Sequence, residues 1–126
     1  MHLNHVGCIT EDFEKSLRFI KKTFSVEEIS PIIKDPALGA TLCLVQLKKG
    51  PPIELVSGEG MASLIQKGPS AYHLCYEVPH LEESLKHFQE EGGLLVKKPM
   101  PSLLFDQRRV AFVYTPFGLI ELLESR

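Results

Sequence analysis

The alternation of hydrophobic and polar positions divides the chain into two similar halves. Residues 2–9 are rich in apolar and β-branched side chains and read as a strand. Thr10 or Asp12 can then cap a helix, because each offers a side-chain oxygen to the free N–H groups of a first turn. Across residues 13–24, Phe13, Leu17, Ile20 and Phe24 recur at helical spacing on one face, with Glu14, Lys15, Arg18 and Lys21 outside. Three strands follow at residues 26–33, 40–47 and 52–56, separated by turns at Asp35-Pro36 and Lys49-Gly50-Pro51. The predicted order is β-α-β-β-β.

Gly58-Glu59-Gly60 interrupts the pattern, residues 61–66 predict a short helix, and Lys67-Gly68-Pro69 ends it. The same order then resumes. Residues 72–78 form a strand, Pro79 marks a helix start, and Leu81, Leu85 and Phe88 define a buried helical face that stops at Glu91-Gly92-Gly93. Strands fit residues 94–98, 109–114 and 119–124, with Thr115-Pro116-Phe117-Gly118 as the last turn. Phe13-Glu14-Lys15-Ser16-Leu17-Arg18 matches Leu81-Glu82-Glu83-Ser84-Leu85-Lys86 at an offset of 68 (81 − 13), so the halves are a repeat. Neither half alone can bury both faces of a small sheet. The expected fold is α+β: two tandem βαβββ modules pairing into a half-open, barrel-like sheet around a cavity. All of residues 1–126 then form one domain, with module one at about 1–57, a linker at about 58–69 and module two at about 70–126.

The repeat extends to chemistry. His5 and His73 each interrupt an apolar strand and lie 68 apart (73 − 5), while Glu54 and Glu121 do the same at 67 (121 − 54). Side chains alternate along a strand, so in each case the polar group points away from its apolar neighbours. On a concave face, two buried carboxylates each cost several kcal/mol unless compensated, against a domain stability of about 5–15 kcal/mol. The strands offer no cation at matching positions. Two imidazoles and two carboxylates instead suit a divalent metal such as Zn, Co, Ni, Mn or Fe, whose identity the residues leave open. His2, His80 and His87 share no such relation and are expected at the surface, as are Lys97 and Lys98. Arg108 and Arg109 could meet a substrate carboxylate or phosphate, but adjacent strand residues face opposite ways, and a solvated surface pair is the favoured reading.

Composition narrows the classes. A net charge of −2 and a pI near 6.2 give no footprint for nucleic acid or an anionic membrane. With 44% hydrophobic residues, the chain can bury a real core. Cys8, Cys43 and Cys75 form no CxxC pair and are expected as buried, reduced thiols. The start of the chain lacks signal-peptide character, and no apolar run approaches a membrane span. A cytoplasmic protein that binds a small molecule is expected, and exposed sheet edges predict a homodimer.

The paired modules, with His5, Glu54, His73 and Glu121 on the first and fourth strands, resemble the vicinal oxygen chelate superfamily, which includes glyoxalase I and methylmalonyl-CoA epimerase. The resemblance covers essentially the whole chain. His5-Val6-Gly7, Met61-Ala62-Ser63-Leu64-Ile65 and His73-Leu74-Cys75-Tyr76-Glu77-Val78 are most similar to the epimerase branch. Two departures are Tyr72-His73, where epimerases usually carry paired histidines, and the segment at 103–109, where they carry a glycine-rich loop. The resemblance implies a divalent-metal-dependent isomerase or lyase that abstracts a proton next to a carbonyl through an enolate. It implies His5, Glu54, His73 and Glu121 as ligands, Glu121 as the base, Glu54 as the opposing carboxylate, and an acyl-CoA or other carbonyl compound as substrate. Alternatives are a glyoxalase I-like lyase and a non-catalytic, antibiotic-binding module on the same scaffold. Extradiol dioxygenases and fosfomycin-modifying enzymes fit less well, because they use three protein ligands.

Overall fold

The computed structural model describes residues 1–58, 71–116 and 118–126. The expected helix at 61–66, its Lys67-Gly68-Pro69 stop and Phe117 of the last turn lie outside the described residues. The chain divides into two compact units, His5–Tyr72 on one side and Met1–Asn4 with His73–Arg126 on the other. The first strand, β1 (His2–Ile9), contributes to both.

In the unit His5–Tyr72, Asp12 rather than Thr10 caps α1 (Phe13–Thr23): its Oδ1 accepts the Lys15 N–H at 3.0 Å. Thr10 Oγ1 instead accepts the Asp12 N–H and lies 2.7 Å from Ser16 Oγ. The helix ends one residue before the expected point. Phe24 has extended backbone and is 48% exposed, so it leaves the buried face assigned to it. The single strand expected at 26–33 is two, β2 (Val26–Ile29) and β3 (Ile33–Asp35). Pro31 falls between them, and its missing N–H breaks a ladder. Both pair antiparallel with β4 (Ala40–Leu47), which pairs in turn with β5 (Ile53–Ser57), and β5 lies parallel to β1. The strand order is β2-β4-β5-β1, with β3 also on β4.

In the other unit, β6 (Ala71–Val78), whose first two residues belong to the unit His5–Tyr72, leads into α2 (Leu81–Glu90), then β7 (Leu94–Pro101), β8 (Arg109–Thr115) and β9 (Gly118–Glu124). The order is β6-β9-β8-β7, with β6 and β9 parallel. α2 stops where predicted. Gly92 takes φ +101°, Gly93 N–H donates to Phe88 O at 2.7 Å, and a Cβ on Gly93 would meet both Phe88 O and Val113 Cγ1 at 2.8 Å. β7 runs three residues beyond the expected end, with register shifts between Leu95 and Met100. The α+β class and the repeated βαβ core are as the sequence predicts.

Each sheet buries one face under its own helix. In the first unit the pairs Val45↔Ile53 and Cys43↔Leu55 share the face that meets α1, where Ile20 packs with Val45 and Leu55. In the second, Val113↔Ile120 and Ala111↔Leu122 share the face that meets Leu81 and Leu85 of α2. The intervening pairs therefore occupy the opposite face: Leu44↔Glu54 in one unit and Phe112↔Glu121 in the other. Among the described residues no helix is long and apolar enough to cross a membrane.

Candidate functional site

On the helix-free face of each sheet, a histidine meets a glutamate. In the first unit Gly7 pairs with Glu54, and His5 lies two residues before Gly7. In the second, Cys75 pairs with Glu121, and His73 lies two residues before Cys75. Two residues along a strand keep a side chain on one face, about 6.6 Å away, a gap that an imidazole and a carboxylate close between them. His5 Nε2 is 3.6 Å from Glu54 Oε2, and His73 Nε2 is 3.0 Å from Glu121 Oε1. All four residues are buried, His5 completely. The repeat seen in spacing is thus a repeat in register, face and contact.

The second pair has an aromatic wall that sequence reasoning did not single out. Phe112, opposite Glu121 on β8, packs edge to face against the His73 ring. The corresponding position in the first unit is Leu44, opposite Glu54. A bulky aromatic at this repeat position was the available signal, but it gains meaning only once β8 and β9 are in register.

Of the two arginines, Arg109 stays at the surface as expected, whereas Arg108 does not. Arg108 is only 15% exposed at its side chain, and its Nη1 donates to Glu77 Oε1 at 2.6 Å and to Glu124 O at 3.3 Å, with the guanidinium over the Phe105 ring. Arg109 bonds Glu124 and Glu82, each at 2.6 Å, which holds both carboxyls below their ordinary range. His80 and His87 are exposed as expected; His2 is exposed too but reaches Glu77 Oε2 at 2.6 Å. Lys98 is exposed, whereas Lys97 is half-buried. None of the three cysteines is in a disulfide. Cys43 and Cys75 are buried, but Cys8 is only partly so. Burial pushes the Cys8 and Cys43 thiols up, and the Glu54 charge adds to this at Cys8.

Glu77 provides a measurable pH dependence. Arg108, and secondarily His2, hold its carboxyl below the ordinary 4.5. A carboxyl lowered in the folded state contributes stability that is complete above its unfolded value and lost as pH falls through the folded one. Glu77→Gln is expected to lower unfolding stability at pH 7 by about 1–2 kcal/mol. The difference from the unsubstituted protein should shrink steadily as the pH is taken below 4.5. Urea unfolding across that range checks it.

The fold and the twinned histidine–glutamate pairs define a class, a two-module α+β protein with a buried nitrogen–oxygen donor pair in each module. The family model described as Glyoxalase/Bleomycin resistance protein/Dioxygenase superfamily matches residues 4–112, and the chain belongs to that superfamily. A curated relative from Cereibacter sphaeroides, described as ethylmalonyl-CoA/methylmalonyl-CoA epimerase, is 27% identical over 118 residues, covering 89% of this chain and 87% of that protein. Among solved structures, methylmalonyl-CoA epimerase from Mycobacterium tuberculosis has a TM-score of 0.80 at 19% identity, covering 98% of this chain and 87% of that one. A hypothetical protein from Bacillus halodurans C-125 has a TM-score of 0.77 at 19% identity, covering 99% and 94%. At these identities the two structures show a shared fold.

Proposed function

We propose that the chain is a divalent-metal-dependent isomerase of the epimerase type, acting on an acyl-CoA or a related carbonyl compound. The observation that carries this reading is the twinned His–Glu pair, buried on the same face and at the same register in both units. His5, Glu54, His73 and Glu121 are a donor set that could hold one metal ion. Two neutral imidazoles supply nitrogen and two carboxylates supply oxygen together with a charge of −2, which a dication cancels; Zn, Co, Ni and Mn all accept such a set. The epimerase relative supports the reaction type and the thioester substrate. An antibiotic-binding module on this scaffold has no need of two buried carboxylates, and the donor set weighs against it.

A divalent ion bound by these four residues would supply Lewis-acid stabilisation of negative charge on a carbonyl oxygen. The remaining work belongs to the chain. Glu121 removes the proton from the carbon next to the carbonyl, and Glu54 stands as the second carboxylate, able to return a proton to the opposite face of the flattened carbon. Burial of both glutamates excludes bulk water from the exchange. The reading includes one domain spanning both modules and a cytoplasmic homodimer. β2 and β7 each end their sheet, and Leu94 on β7 is 69% exposed, which supports pairing with a second copy.

The test combines elemental analysis with turnover. Purified protein is expected to carry about one transition metal per chain, and metal-loaded protein to interconvert the epimers of methylmalonyl-CoA. Conversion of the methylglyoxal–glutathione hemithioacetal instead would move the reading to the glyoxalase branch. Protein that takes up none of Co, Ni, Zn or Mn would be a binding module.

A further inference from the structure

Phe112 has no part in the proton transfer, yet it is packed against one of the residues that would make that transfer possible. Its ring meets the His73 imidazole with 5.5 Å between centroids and 88° between planes. Both residues are buried, Phe112 at 3% and His73 at 4% exposure. The two side chains come from β8 and β6, with β9 between those strands. Phe112 therefore reaches across the strand that carries Glu121 to touch the ring whose Nε2 lies 3.0 Å from the Glu121 carboxylate.

The outermost torsion of a histidine is broad and roughly two-fold, so packing and hydrogen bonds must choose the ring's orientation. A turn of the His73 ring swings Nε2 away from Glu121. An aromatic ring set at right angles against the imidazole obstructs that turn, and edge-to-face is the arrangement the ring quadrupoles favour. The repeat supplies an internal comparison. Leu44 holds the same register position opposite Glu54; it is aliphatic and half-buried, and there the nitrogen–oxygen distance is 3.6 Å.

We propose that Phe112 is a positioning residue that fixes the imidazole plane of His73, which makes His73 and Glu121 the better-ordered of the two donor pairs. The proposal deepens the metal-site reading, although its first measurement is independent of metal.

Nitrogen-15 spectra of the histidine rings are recorded on full-length, metal-free protein: unsubstituted, Phe112→Leu and Val113→Ala. Val113 lies on the helix-facing side of the same strand, so its truncation loosens packing without touching His73. In Phe112→Leu the His73 ring signals are expected to shift and broaden toward a mixture of tautomers, with Val113→Ala leaving them in place. Co(II) affinity should fall roughly ten-fold in Phe112→Leu, the scale seen when a group that orients a metal ligand is removed. Phe112→Met keeps most of the volume while removing the aromatic edge, and it takes the place of the leucine variant if that fails to fold. Unchanged His73 signals in the Phe112 variant, or the same change in Val113→Ala, overturn the proposal. If the unsubstituted protein binds none of Co, Ni, Zn or Mn, the metal reading fails on its own and the ring spectra still decide the role of Phe112.

Discussion

Glu121→Gln is expected to keep the fold and lose turnover by about 10²–10⁴-fold, the range associated with a positioned general base. The amide preserves the shape of a side chain that is 4% exposed, so the packing of β9 against β6 and β8 stays intact. What it removes is the capacity to accept a proton at the oxygen beside His73. The two glutamates can be separated by exchange in deuterated water. With both carboxylates present, each epimer acquires deuterium as it inverts. With Glu54→Gln, one epimer should still exchange its proton through Glu121 while inversion slows, because the opposite face has lost its donor. Full activity in Glu121→Gln removes the proposed base, and equal loss of exchange and inversion in Glu54→Gln removes the division of labour.

Much of this site was legible in the sequence because it rests on short periods and a duplication. Strand alternation fixes which residues share a face, and the offset of 68 between His5 and His73 survives as an identical two-residue displacement from the partner strand in both units. The end of α2 was legible for a similar reason, because Gly92-Gly93 acts through its own neighbours in the chain, and the start of α1 was narrowed to Thr10 or Asp12, of which Asp12 is the cap. Where the sequence misled in the first unit, the apolar pattern continued past a break in the backbone. Phe24 falls at helical spacing, yet α1 has ended before it, and Pro31 splits a run whose apolar pattern continues straight through. Arg108 read as a surface residue because its partner, Glu77, is 31 positions away. Phe112 gains its place at the site only from the register of β8 on β9, which sets it opposite Glu121. Contacts made between elements distant in the chain carry no periodic signature, and the Arg108–Glu77 and Phe112–His73 contacts are both of that kind.

Addition of Co, Ni, Zn or Mn should raise the melting temperature of the unsubstituted protein and leave that of His73→Ala nearly unmoved. Ligand that binds only the folded state stabilises it by about 4.1 kcal/mol at a thousand-fold excess over the dissociation constant. For a domain of this size that corresponds to a rise on the order of 10 °C. His73→Ala removes one of the four proposed donors, and it leaves the Glu121 carboxylate buried beside a void in place of an imidazole 3.0 Å away. Two changes are therefore expected: a lower melting temperature in the absence of metal, since removing one member of a buried pair is strongly destabilising, and a loss of metal affinity greater than the ~10–100-fold typical of outer contacts. The first change alone, with metal still raising the melting temperature fully, would make His73 a structural partner of Glu121 and not a ligand. The second distinguishes a site that uses both modules from one held by His5 and Glu54 only, because a pair confined to the first module would keep its metal when His73 is gone. Calorimetry of the two proteins with and without each metal, followed by elemental analysis after dialysis, separates these outcomes.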